Sequence, residues 1–103
     1  MRSEPLRPLE LSSSYRIVVT KTAQKEILHL PAKILRQIEE TIDRLLSTMN
    51  AGERPQDVRP LQGEPDAYRI DSGEYRVLFY LDKDAKLITV SRVRHRRDAY
   101  RNL

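Results

Sequence analysis

Between residues 31 and 49 apolar side chains recur at three- and four-residue steps: Ile34, Leu35, Ile38, Ile42, Leu45, Leu46 and Met49. That spacing winds them onto one stripe and predicts a helix, with Lys33, Arg36, Gln37, Glu39, Glu40, Asp43 and Arg44 on its solvated face. Asn50 and Gly52 are stop residues for it, and Pro31 suits its first position. His29, Leu30 and Pro31 therefore mark a corner between two helices. The shorter first helix is expected over residues 23–30, with Thr22 as N-cap and Ile27 and Leu28 facing inward. Residues 15–19 ahead of it read as a short strand. His29 reads as a surface or corner-packing residue, because no acid or nucleophile accompanies it.

The period changes after residues 51–66, a long loop with three prolines and two glycines. Residues 68–70 alternate apolar with charged, residues 75–81 are rich in aromatic and branched side chains, and residues 87–93 form a third run of this kind. Asp71, Ser72, Gly73 and Glu74 supply turn chemistry, with Gly73 suited to the positive φ of a tight hairpin. Alternation puts Tyr75, Val77, Phe79 and Leu81 on one face and Arg76, Leu78 and Tyr80 on the other, so one face reads as core and the other as a site. Short connections make the three runs an antiparallel meander. The expected fold is α+β, a compact βααβββ domain in which a two-helix hairpin packs on a mainly antiparallel twisted sheet, followed by a short basic C-terminal element.

Length and composition narrow this further. With 103 residues there is room for one domain, over residues 15–103, and residues 1–14 read as a mobile extension, with a partner-binding arm as the alternative. Cysteine is absent, and the two histidines, His29 and His95, lack ligand spacing, so neither a metal nor another cofactor is expected. No apolar run approaches the roughly 20 residues that span a bilayer, and no signal-peptide block opens the chain, which makes the cytoplasm the expected compartment. The net charge of +4 is modest, but its distribution is uneven. Arg92, Arg94, Arg96, Arg97 and Arg101 crowd the end of the chain, with His95 and Tyr100 among them and Asp98 opposing. Beside Arg69 and Arg76, such a block is the footprint expected for a phosphate backbone, and Tyr100 is placed to stack on an unpaired base. The alternative is a basic terminus that keeps the protein in solution.

Pro60-Leu61-Gln62-Gly63, Tyr68-Arg69-Ile70, Gly73-Glu74-Tyr75-Arg76-Val77-Leu78 and the stretch from Val93 through Arg96 and Tyr100 to Arg101, in that order after a two-helix hairpin, resemble the RelE branch of the RelE/ParE toxins. The resemblance covers roughly residues 15 to 101. It implies a bacterial type II toxin–antitoxin module, whose toxin cleaves mRNA in the ribosomal A site and is silenced by a cognate antitoxin. Carried over by position, it implies site roles for Arg69, Arg76, His95, Arg96 and Tyr100. Gln62 and Asp71 depart from it, standing where basic residues are common, and both remove positive charge from the implied RNA face.

Metal-free cleavage by 2′-hydroxyl attack needs a base, a stabiliser for the phosphorane-like charge and an acid for the leaving oxygen. Guanidiniums stay protonated, so Arg76 and Arg96 are assigned to phosphate charge and Arg69 to positioning, with Arg92, Arg94, Arg97 and Arg101 as further RNA contacts. Histidine as a residue type exchanges protons near neutral pH, which assigns proton transfer to His95. Tyr100 is left with stacking, a second proton step, or packing the last turn onto the sheet. Two other classes remain open: a ParE-like toxin that inhibits DNA gyrase by binding, and an RNA-binding module without catalysis.

Overall fold

A hydroxyl at the end of the first strand starts the first helix. The computed structural model describes residues 14–98; the expected extension up to residue 13, Tyr100 and Arg101 lie outside the described residues. Strand β1 (Arg16–Val19) runs into helix α1 (Lys21–Leu28) through Thr20, whose Oγ1 accepts the Ala23 N–H at 3.1 Å. Thr20, not the expected Thr22, is the N-cap, for a tertiary reason. Its N–H donates to the Val90 carbonyl at 3.0 Å and its hydroxyl to the Ser91 carbonyl at 3.1 Å, which hold it in the extended backbone a cap requires. Ala23 is buried and Ile27 packs on the core, while Leu28, expected inside, is 80 % exposed. His29 caps the other end, its Nδ1 2.7 Å from the Lys25 carbonyl oxygen, as a corner residue should.

Helix α2 (Ala32–Asn50) begins one residue later than expected, because Pro31 is its N-cap and accepts the Leu35 N–H at 2.9 Å. Ile38, Leu45 and Met49 are buried, and Ile34, Ile42 and Leu46 pack beside them. Gln37 leaves the solvated face predicted for it. Its Nε2 donates to the Ser72 carbonyl at 2.6 Å, and the buried Thr41 hydroxyl donates to Ser72 Oγ at 2.7 Å. These bonds tie the helix to the hairpin turn, where Gly73 has φ +60° and a Cβ would stand 2.5 Å from Gln37 Nε2. Gly73→Ala is expected to cost about 2 kcal/mol through the left-handed backbone and the displaced amide. Thermal melting checks this, and an unchanged midpoint would contradict it.

The remaining strands are β2 (Arg59–Pro60), β3 (Ala67–Ser72), β4 (Tyr75–Asp82) and β5 (Leu87–His95). Strand β2 lies within residues 51–66, expected as uninterrupted loop, and β5 continues past Val93 to His95. The sheet order is β1-β5-β4-β3-β2, with the expected antiparallel meander over β3, β4 and β5 and a parallel pairing of β1 on β5. Tyr68, Ile70, Val77, Phe79, Leu81, Ile88, Val90 and Val93 form the helix-facing core. No helix among the described residues is long and apolar enough to cross a membrane.

Val90 and Val93 are three residues apart, so a regular strand would point them to opposite faces. The register shifts between Leu78 and Phe79: Leu78 is opposite Arg92 and Phe79 opposite Val90, leaving Ser91 as the extra residue. Its hydroxyl donates to the Leu78 carbonyl at 3.2 Å. This bulge keeps both valines in the core and turns Arg92 and Arg94 to the open face. The side of β5 that carries the arginines is therefore set by one irregular residue.

Candidate nucleic-acid interface

Two cross-strand rows lie on the face turned away from the helices. One runs Arg59, Arg69, Leu78, Arg92 and the next Asp71, Arg76, Arg94. Directly opposed cations repel, so rows of this composition need counter-charge. Asp71 and Glu26 provide it at opposite ends. Asp71 Oδ1 lies 3.0 Å from Arg76 Nε and 3.7 Å from Arg69 Nη1. Glu26 reaches from α1: its Oε2 accepts from Arg92 Nε at 3.0 Å and Nη2 at 2.9 Å, and lies 3.8 Å from Arg94 Nε. Its Oε1 accepts the Val93 N–H at 2.7 Å. That donor is on the part of β5 past the end of its pairing with β1, so the carboxylate completes the sheet edge as well as offsetting charge.

The structure brings Arg69, Arg76, Arg92 and Arg94 together, as expected, but gives Arg92 and Arg94 a counter-ion that sequence reasoning missed. Glu26 is 66 residues from Arg92, and nothing local in the helix marks it as their partner. Arg59 was missed too, since it lay in an apparent loop; its Nη1 turns back to the Gln56 and Val58 carbonyls. Leu78 shares the arginine face yet is buried, contrary to a simple split into core and site faces. It lines a concavity of about 540 Å³ together with Leu61, Gln62, Glu64, Tyr80 and Arg92. There the Tyr80 hydroxyl donates to Glu64 Oε1 at 3.0 Å, and that bond with the carboxylate's charge raises the tyrosine pKa above its ordinary value. Tyr80 is therefore a donor at neutral pH and not a base.

His95 does not join Arg76. Its register partner is Tyr75, on the core side of the sheet, and the two rings meet edge to face at 5.3 Å. Its Nδ1 accepts the Arg97 N–H at 3.1 Å, and Nε2 lies 3.8 Å from Glu74 Oε1. Arg96 shares this strand end, its Nε 3.6 Å from the same carboxylate oxygen. The expectation of an imidazole beside Arg76 is thus corrected by strand alternation, since consecutive positions 94 and 95 point to opposite faces.

Residues 17–100 match the profile of the ParE toxin of type II toxin–antitoxin systems, parDE. The chain belongs to this family. Toxin RelE3 of Methanocaldococcus jannaschii is 27% identical over 85 residues, covering 82% of this chain and 94% of that protein. The archaeal RelE–RelB complex from Pyrococcus horikoshii OT3 contains a chain similar to this one at TM-score 0.68 and 28% identity, covering 84% of this chain and 99% of that one. The RelB–RelE complex from Methanococcus jannaschii gives TM-score 0.65 and 26% identity, with 84% and 98% covered. The α+β fold and the family are therefore those the sequence implies: a type II toxin of the RelE family. Within this toxin, the arginine rows on β3, β4 and β5 are the candidate interface.

Proposed function

We propose that this toxin is a metal-independent endoribonuclease that cleaves mRNA in the ribosomal A site, the 2′-hydroxyl attacking the adjacent phosphate. The observation that supports this reading is the gathering of Arg69, Arg76 and Arg94 on one open sheet face. A guanidinium is a permanent cation as a group type, and paired strands carry these three, so once a phosphate is bound they meet the developing phosphorane charge with little movement of their own. A cognate antitoxin is proposed as partner, because the similar toxins of P. horikoshii and M. jannaschii are complexes with RelB. Co-purification with the product of the adjacent reading frame tests that pairing, and recovery of a free, harmless toxin from cells would contradict it.

Proton transfer belongs elsewhere in this scheme. On the arginine face Asp71 is engaged by two guanidiniums and Tyr80 donates to Glu64. Tyr100, which lies outside the described residues, and ribosomal RNA are the proposed sources, and alignment of the 2′-hydroxyl by the ribosome makes cleavage of naked RNA slow. His95→Ala is expected to leave single-turnover cleavage on programmed ribosomes within about tenfold of the parent. A loss of about 10²–10⁴, typical of removing a proton-transfer group, would instead mean that the substrate reaches round the strand end to His95 and Arg96.

A second reading is favoured by the ParE description of the matching family and by the arginine face carrying no placed base among the described residues: inhibition of DNA gyrase by binding, with no chemical step. A supercoiling assay beside the cleavage assay separates the two.

A further inference from the structure

The two carboxylates that offset the arginine rows are held in different ways. Glu26 is 21 % exposed and fixed by a backbone N–H, two bonds from Arg92 and a longer approach to Arg94. Removing it from its place would open the edge of β5. Asp71 is 49 % exposed, on an exposed position of β3, and its carboxylate meets Arg76 Nε through one oxygen while Arg69 stands 3.7 Å from that oxygen. Exposed pairs of this kind hold weakly and give way in salt. Arg76, by contrast, is only 16 % exposed and cannot swing far from where Asp71 meets it. An anion approaching this face therefore finds Asp71 standing where one of its own oxygens would bind.

We propose that Asp71 is a displaceable internal counter-ion that occupies the phosphate position between Arg69 and Arg76, and so sets how tightly the toxin takes a phosphodiester strand. This rests on the reading of the arginine face as the RNA-phosphate surface. The carboxylate oxygen presents to Arg76 the same charge-assisted acceptor that a phosphate oxygen would. Binding the strand turns Asp71 outward into water, and its negative charge continues to repel the neighbouring phosphates. The toxin's affinity for nucleic acid is thereby held low until a correctly placed phosphate, delivered at high local concentration, displaces it. Asp71 is in this sense a specificity-determining residue, because it penalises casual contacts with any polyanion more than contacts that the ribosome pre-aligns.

The test uses the full chain and a fluorescein-labelled single-stranded oligodeoxynucleotide, a phosphodiester strand that lacks the 2′-hydroxyl and so is not cleaved. Anisotropy titrations across a salt series compare the parent with Asp71→Asn, Asp71→Ser and Arg76→Ala. Both Asp71 variants remove the negative charge, and Asn keeps an oxygen for Arg76 Nε. They are expected to bind about fivefold more tightly at low salt, the range in which exposed ion pairs act. With one more effective cation against the strand, the slope of log K against log salt steepens by roughly 0.7. Arg76→Ala is expected to bind more weakly than the parent. If Arg76→Ala weakens binding but both Asp71 variants match the parent or bind less tightly, Asp71 positions the arginines and does not compete with phosphate. If Arg76→Ala binds like the parent, the arginine face is not the phosphate surface and the functional reading itself fails.

Discussion

Arg76→Ala is expected to slow single-turnover cleavage of mRNA on programmed ribosomes on the order of 10²–10³-fold, the loss found when one preorganised charge stabiliser is removed. Arg76 sits at the middle of the row Asp71, Arg76, Arg94, on the central strand of the meander. Its position is fixed by the sheet on both sides, so a truncated side chain cannot be replaced by a neighbour's movement. The domain should stay folded. The side chain lies on the face away from the Ile38, Val77 and Phe79 core, and Asp71, half exposed, keeps Arg69 nearby when Arg76 is truncated. The decisive pattern is a large fall in rate with a melting temperature changed by a few degrees at most. A rate within a factor of a few of the parent would remove Arg76 from the chemistry.

Glu26→Ala should act in the opposite way, on stability first. It deletes the acceptor of the Val93 N–H and the partner of Arg92, and it leaves Arg94 facing Arg76 without its counter-charge. A hydrogen bond to a charged group contributes about 1.5–3 kcal/mol, and breaking a largely buried ion pair costs more than its formation contributed. With Glu26 and Arg92 both partly open to water, the expected cost is about 3 kcal/mol. For a domain of this size that corresponds to a fall on the order of 10–20 °C in melting temperature. Scanning calorimetry measures it, and a midpoint within 3 °C or so of the parent would show that the edge of β5 is held by other contacts. The contrast between the two variants separates charge that builds the face from charge that works on it.

The parts of the fold legible in the sequence are those set by local period. Ile34, Ile38, Ile42, Leu45 and Met49 mark α2 and its core stripe, and the alternation from Tyr75 to Leu81 marks β4 with Arg76 outward. The hairpin turn was readable because its φ requirement is chemical, and Gly73 meets it at +60°. What was not readable depends on residues far apart in the chain. Thr20 becomes a cap because Val90 and Ser91 hold it, 70 or so positions away, and Thr22 has identical local credentials. The bulge at Ser91 has no signature of its own, yet it decides which side of β5 carries arginines. Glu26 looks like ordinary helix-surface charge until α1 is laid along β5. His95 is illegible for a simpler reason: it neighbours Arg94 along the chain, but adjacent strand positions face apart, and β5 continues through both.

The most direct measurement of the central claim is mapping of transcript ends after the toxin is added to a purified translation system, with gyrase supercoiling assayed in parallel. An endoribonuclease acting through the arginine face is expected to produce new ends inside the coding sequence on programmed ribosomes. The same message without ribosomes should be cut far more slowly, Arg76→Ala should lose the new ends, and gyrase should keep working. An intact message beside blocked supercoiling would contradict the account and establish the binding inhibitor in its place.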